Sequence, residues 1–259
     1  MAGAPRSGET RGAPAGRIES MSVVLQAEGL SKQFGGLVAV NGVNFQVQSN
    51  ESVGVIGPNG SGKTTFFNLL TGFFPPTRGR ILFYGKDITD LPPNRRVLKG
   101  MVRTFQLVSV FNSLTVWENL VLSSLRFQEE SSSEWGFLWS PANRESVRKS
   151  CLRAMREVGL EKDWGTLTSE LSYGSKRMLE IGIALSLKPK LLLLDEPLSG
   201  LSDLEISEVL QILDHIKKNL TLIIIEHKLS KIVNLVDRLC VMNEGRFICE
   251  GVPDRVLSD

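Results

Sequence analysis

The chain has 259 residues, 42% hydrophobic and 22% charged, which suffices for one domain with a large core and room for a smaller lobe. A net charge of only +2 argues against a nucleic-acid partner, because such binders concentrate a strong basic excess on one face. No apolar stretch approaches the roughly 20 residues that a membrane-crossing helix needs, so any work at a membrane requires another chain to span it.

The first residues, Met1 to Ser20, are rich in Gly, Ala, Pro, Arg and Ser. They lack the apolar run of a secretory signal peptide, and their composition predicts a disordered tail over 1–21, with Met21 an alternative start. Strands are predicted near Val23–Glu28, Val43–Val47 and Arg80–Tyr84. The cysteines Cys151, Cys240 and Cys249 are too far apart or unsuitably spaced for a metal knuckle and read as reduced, buried thiols.

The most informative segment is Glu51–Thr71. Val53, Val55 and Ile56 make a short β-branched run of the kind found in buried parallel strands. Gly57-Pro58-Asn59-Gly60-Ser61-Gly62-Lys63-Thr64 then fits the pattern G-x-x-x-x-G-K-[ST], and after Thr65 the residues Phe66, Phe67, Leu69 and Leu70 follow at helical spacing. Glycines let a backbone wrap a polyphosphate with several N–H groups pointing inward. The helix that starts near Gly62 adds the positive end of its dipole. Lys63 offers a mobile charge to the β- and γ-phosphates of ATP, and the Thr64 hydroxyl can ligate Mg²⁺.

Lys190–Asp195 is a second buried strand, closed by Asp195, Glu196 and Pro197. Asp195 is expected to hold Mg²⁺ and Glu196 to act as general base on the attacking water, since metal and water lie on different sides of the γ-phosphate. Taken alone, Asp-Glu-Pro also fits a plain turn. A third strand, Leu222–Glu226, ends at His227, where ligands collect in parallel α/β sheets. His227 could orient water at the γ-phosphate, and a surface histidine capping the strand fits the same residues. The other histidine, His215, falls in the helical run Glu205–Asn219 and is expected to face solvent.

Together with Leu171-Ser-Tyr-Gly-Ser-Lys-Arg177, these motifs resemble the nucleotide-binding subunits of ABC transporters from Ser22 to Asp259. The resemblance implies an α/β fold: a RecA-like P-loop core with a mainly parallel sheet, an antiparallel β portion, and a helical lobe at about 107–178. It implies a dimer with a second ATPase subunit, in which Ser172 and Gly174 close over ATP held by the opposite subunit. It also implies that Phe34 stacks on adenine, that Gln106 touches Mg²⁺ and links core to lobe, and that Ser199–Ser202 crosses the dimer interface. Residues after Gln106, among them Phe111, Leu114, Trp117 and Glu118, would receive a coupling helix of the permease.

Phe34-Gly-Gly-Leu-Val-Ala-Val40, Phe67–Gly72, Val102–Gln106, Leu114–Asn119 and Leu171–Gly174 resemble the first ATPase subunit of branched-chain amino acid importers. Such importers join two ATPases, two integral-membrane permeases and a periplasmic binding protein, which places this chain at the cytoplasmic face of the inner membrane. Urea and amide importers use related subunits. Ser175, Ser202 and Gly182-Ile183 depart from the family's usual Gln, acidic or Asn residue, and Ala-Arg pair. Glu129–Asn143 is an insertion whose Trp135, Phe137, Leu138 and Trp139 form an apolar knot, read as a loop folded on the lobe or as a contact surface. Two other readings are a soluble ABC ATPase of translation or repair, which a single cassette without heptads disfavours, and a non-catalytic ATP-binding subunit, which Lys63, Asp195, Glu196 and His227 disfavour.

Overall fold

The computed structural model describes residues 22–105, 109–131, 141–227 and 229–258, with the backbone alone at 126–131 and 141–144. The tail over 1–21, Gln106 and the Trp135–Trp139 knot lie outside the described residues. Strands β1 (Val23–Phe34) and β2 (Leu37–Gln48) form a hairpin, and β3 (Ser52–Ile56) leads to helix α1 (Lys63–Thr71). Next come β4 (Arg78–Phe83), β5 (Lys86–Asp87), α2 (Pro93–Leu98) and β6 (Met101–Arg103). Three longer helices follow: α3 (Val116–Ser131), α4 (Pro141–Glu157) and α5 (Tyr173–Ser186). The chain then runs through β7 (Leu191–Asp195), α6 (Asp203–Ile216), β8 (Thr221–Ile225), α7 (Leu229–Ile232), β9 (Arg238–Asn243), β10 (Arg246–Gly251) and α8 (Pro253–Val256).

The strands form two sheets, a four-stranded antiparallel one ordered β2-β1-β4-β5 and a six-stranded one ordered β10-β9-β3-β8-β7-β6. In the larger sheet β9, β3, β8, β7 and β6 are parallel, and only the edge strand β10 pairs antiparallel. Period-two alternation splits the leucine and isoleucine runs between two cores. Leu192, Leu194, Leu222 and Ile224 face the core shared with α3, α4, α5 and α6. Leu191, Leu193, Ile223 and Ile225 face the core shared with α1 and the antiparallel sheet. Because β7 and β8 are covered on both faces, they read as continuous apolar runs, as predicted. The N-terminal strands are longer than predicted, since the β1–β2 hairpin extends past the buried part of the sheet to an exposed tip.

The C-terminal end of α1 is closed by a residue remote in sequence. Arg96, fully buried, donates to the carbonyls of Leu69 and Leu70, and the Leu69 carbonyl also accepts from the Gly72 N–H. Burial lowers the pKa of Arg96 to about 10. The start of α3 is fixed by its own residues, for Thr115 and Glu118 exchange capping hydrogen bonds. The buried amide of Asn119 ties this helix to Phe111 and Thr168. Gly182 lets α5 approach α4, since a Cβ there would stand 3.1 Å from Val158.

Among the described residues no helix is long and apolar enough to cross a membrane. His215 is exposed on α6, as expected. Cys151 and Cys240 are buried, and burial pushes the Cys240 thiol up to about 12. Cys249 is only half-buried, a correction to the expectation of three buried thiols, because it sits on the edge strand β10.

Candidate functional site

The loop between β3 and α1 arches over the C-terminal edge of the parallel sheet. Two of its glycines are required by geometry. Gly57 has φ 149° and a Cβ there would lie 2.1 Å from the Met242 carbonyl oxygen. Gly62, the residue capping α1, has φ 106°, and its Cβ would lie 2.4 Å from the Ala39 carbonyl oxygen. No L side chain fits either conformation at such distances. The β9–β10 turn supports the loop from below, with the Gly245 N–H donating to the Ser61 carbonyl.

Pro58, Asn59 and Gly60 form the exposed crest, Thr64 is exposed at the mouth and Thr65 is half-buried beside it. Lys63 folds back so that Nζ donates to the carbonyls of Gly57 and Pro58 at 2.8 and 2.9 Å. Desolvation pulls the pKa of this ammonium below its usual value, against the opposing attraction of Glu196 and Asp195. Ser61 Oγ is buried and has no hydrogen-bond partner among the described residues. A cradle of backbone N–H groups, an unpaired buried hydroxyl and a cation suits a polyphosphate.

Strands β7 and β8 bring the acids and the histidine to the same edge. Asp195 is the last residue of β7 and is buried. Glu196 follows in a left-handed backbone conformation, φ 48°, which costs a non-glycine residue about 1–2 kcal/mol. Hydrogen bonds from Glu196 N–H to the Ile225 carbonyl and from Ser199 N–H to the Glu196 carbonyl hold it there. His227 Nε2 lies 2.6 Å from Glu196 Oε1, so the two candidate catalytic groups are in direct contact.

Sequence reasoning missed two supporting residues. Buried Glu226 accepts from the N–H of Leu198 and of His227, clamping the segments that carry Glu196 and His227 to each other. Arg103 Nη2 donates to Asp195 Oδ2 at 2.6 Å, with both side chains almost wholly buried. The run Val102–Gln106 contained the signal for Arg103, since an arginine ending a buried strand must find an anion or acceptors.

Phe34 ends β1 at the hairpin tip and is 41% exposed, with its edge against Phe74 and Lys32 Nζ 5.1 Å from its ring. Ala39, in the same hairpin, brings its carbonyl against Gly62 of the phosphate loop, while the Phe34 ring itself packs on Phe74 beyond the end of α1. The metal donors expected on described residues, Thr64 and Asp195, are oxygen ligands. Among the described residues no cluster of three or more His, Cys, Asp or Glu forms a protein cage. Such a sparse, hard donor set suits Mg²⁺, which keeps waters and phosphate oxygens in its shell.

Ser172 caps α5, accepting from the Ser175 N–H. Gly174 N–H does not stand open: it donates to Glu205 Oε1 at 3.0 Å. Glu205 also completes a capping box with Ser202 at the start of α6, which gives the unusual Ser202 a structural reason. Ser172 and Gly174 therefore sit together at the tip of α5, with a carboxylate resting on them. Further along α5, Arg177 and Glu180 form a buried pair and grip the C=O and N–H of Phe105, next to Gln106. Burial raises the pKa of Glu180 despite the nearby guanidinium. Beside this grip lies a cavity of about 270 Å³ lined by Phe73, Val97, Phe105, Ile183 and Leu187. Phe111, Leu114, Trp117 and Glu118 do not line it.

The segment 40–199 matches the family model described as ABC transporter. The high-affinity branched-chain amino acid transport ATP-binding protein BraF of Pseudomonas aeruginosa is 37% identical over 238 residues, covering 90% of this chain and 93% of its own. LivG of Escherichia coli K12, similarly described, is 37% identical over 241 residues, with 91% and 94% covered. A solved ATP-binding cassette of an ABC transporter, in its ADP conformation, superposes with a TM-score of 0.79 at 34% identity, covering 92% of this chain and 95% of that one. A nucleotide-free cassette gives 0.78 at 33% identity, with 92% and 96% covered. On sequence and fold alike, the chain belongs to the ABC transporter family as one of its ATP-binding cassettes.

Proposed function

We propose that this cassette hydrolyses MgATP to drive uptake of branched-chain or related amino acids through separate permease subunits at the cytoplasmic face of the membrane. The observation that carries the chemistry is the 2.6 Å contact between Glu196 and His227 at the strand ends beside the phosphate loop. Backbone N–H groups of Gly60 and Gly62–Thr65 and the Lys63 ammonium bind the phosphates, and Phe34 stacks on the base. Thr64 and Asp195, together with Gln106, would hold Mg²⁺, which would supply neutralisation of phosphate charge.

Glu196 Oε accepts the proton of the attacking water as the new P–O bond forms and the β–γ bridge breaks. His227 positions that carboxylate through Nε2, and its ring, 37% exposed, is accessible to the γ-phosphate. Ser172 and Gly174 serve the nucleotide of the opposite subunit in a dimer, each nucleotide being enclosed by two chains. In this reading 22–259 is the ATPase domain, and 107–178 its helical lobe. The cavity at Phe73, Phe105 and Ile183, which joins lobe and core, receives the permease.

The relatives described as branched-chain amino acid transport ATP-binding proteins support the substrate class. Labelled leucine and labelled urea uptake in source cells carrying Glu196→Gln test it. Loss of leucine entry alone is expected. Retained leucine entry with loss of urea entry would replace the substrate with an amide.

A further inference from the structure

The Asp195 carboxylate is buried and is not left alone. Its partner Arg103 is the last residue of β6, and their side chains are 3% and 5% exposed. Arg103 Nη1 also donates to Asn68 Oδ1 at 2.6 Å and to Thr71 Oγ1 at 3.3 Å, both on α1. Its guanidinium carbon lies 5.5, 5.9 and 5.3 Å from the ring centroids of Phe67, Phe73 and Phe105. A planar cation that stacks on rings and forks to several acceptors is what arginine provides and lysine does not. One such cation here joins the strand ending in Asp195, the helix that follows the phosphate loop and the residue before Gln106.

We propose that Arg103 is a positioning residue that acts through Asp195 as a built-in counter-cation. It holds the carboxylate by Oδ2 before nucleotide arrives, and the divalent metal competes with it for the carboxylate charge. This rests on the reading of Asp195 as a metal ligand. Burying a carboxylate without a partner is costly, so the 2.6 Å contact with Arg103 gives the buried Asp195 side chain a hydrogen-bonded place in the fold. The same pair weakens the metal's hold, because the ligand's charge is already shared. Metal arrival slackens the Arg103–Asp195 contact, and the guanidinium is then held more by Asn68 and the three rings, Phe105 among them.

The test is Mn²⁺ binding to the full chain in saturating ADP, read by electron paramagnetic resonance, alongside thermal unfolding with and without Mn²⁺·ADP. Arg103→Met, whose flexible thioether fits between aromatic rings, is expected to bind Mn²⁺ roughly tenfold more tightly, about the effect of removing one charge-assisted contact. Its ligand-free form melts lower, and Mn²⁺·ADP raises that melting point by more than in the wild type. Arg103→Lys keeps the charge and stays within about threefold of the wild type in Mn²⁺ affinity. Arg103→Gln gives the same tightening as methionine and takes its place if that variant does not fold.

A folded neutral variant with unchanged or weaker Mn²⁺ binding would overturn the proposal, even if it melts lower. Asp195→Asn separates the two readings. Weakened Mn²⁺ binding in that variant upholds Asp195 as a ligand whatever Arg103 does. Unchanged binding there overturns the ligand assignment itself.

Discussion

The phosphate loop and the tip of α5 both lie at helix N-termini, and their polar groups are occupied to different degrees. The loop is complete within one chain: glycines at Gly57 and Gly62 that no other residue replaces, a buried Ser61 hydroxyl without a partner among the described residues and a lysine folded onto its own carbonyls. At the tip of α5, Ser172 caps its own helix and Gly174 N–H is already bonded to Glu205. A site that works alone carries its own open donors. A site that serves a second chain can be stoppered by its own chain until that partner arrives.

Breaking the first region should have the larger effect. Lys63→Ala removes the ammonium that folds into the phosphate loop, and ATP affinity measured by fluorescent-nucleotide titration should fall roughly 100-fold. The fold should survive, since among the described residues the hydrogen bonds of the Lys63 ammonium go to the loop carbonyls of Gly57 and Pro58.

Sharpening the contrast requires the second region. Glu205 accepts from the Gly174 N–H through Oε1 and from Ser202 through Oε2, so Glu205→Gln, with a single amide oxygen, removes the negative charge from the tip of α5 and gives up one of those acceptors. Charge at a helix N-terminus is worth a modest amount, so the KM for MgATP should drop by roughly threefold, while the lost acceptor lowers the melting temperature by a few degrees. An unchanged KM would mean that Glu205 is only a cap. The smallest effect is expected from Ser202→Ala, which loses the cap of α6 and should cost about 1 kcal/mol, or a few degrees in thermal unfolding.

The same contrast governs what the sequence made legible. Gly57–Thr64, Asp195, Glu196 and His227 were readable because each lies at the end of a short apolar run whose strand character is local. The burial of β7 and β8 was readable from their continuous apolar runs, whereas the division of Leu191–Leu194 and Leu222–Ile225 between two cores appears only in the fold. Arg103, Glu226 and Glu205 were not. Their partners Asp195, Leu198 and Gly174 are 92, 28 and 31 residues away, and only the parallel order of β6, β7 and β8 or the packing of α6 against α5 brings them together. The cavity beside Phe105 was missed for a similar reason: α1, α2, β6 and α5 each contribute a wall.

The account stands most directly on Glu196 as the general base, and one comparison measures it: MgATP turnover by the wild type and by Glu196→Gln at matched nucleotide occupancy. The account predicts retained ATP binding with turnover reduced at least about 100-fold, the share that a positioned base contributes. Turnover at the wild-type rate with the same ATP bound would contradict it.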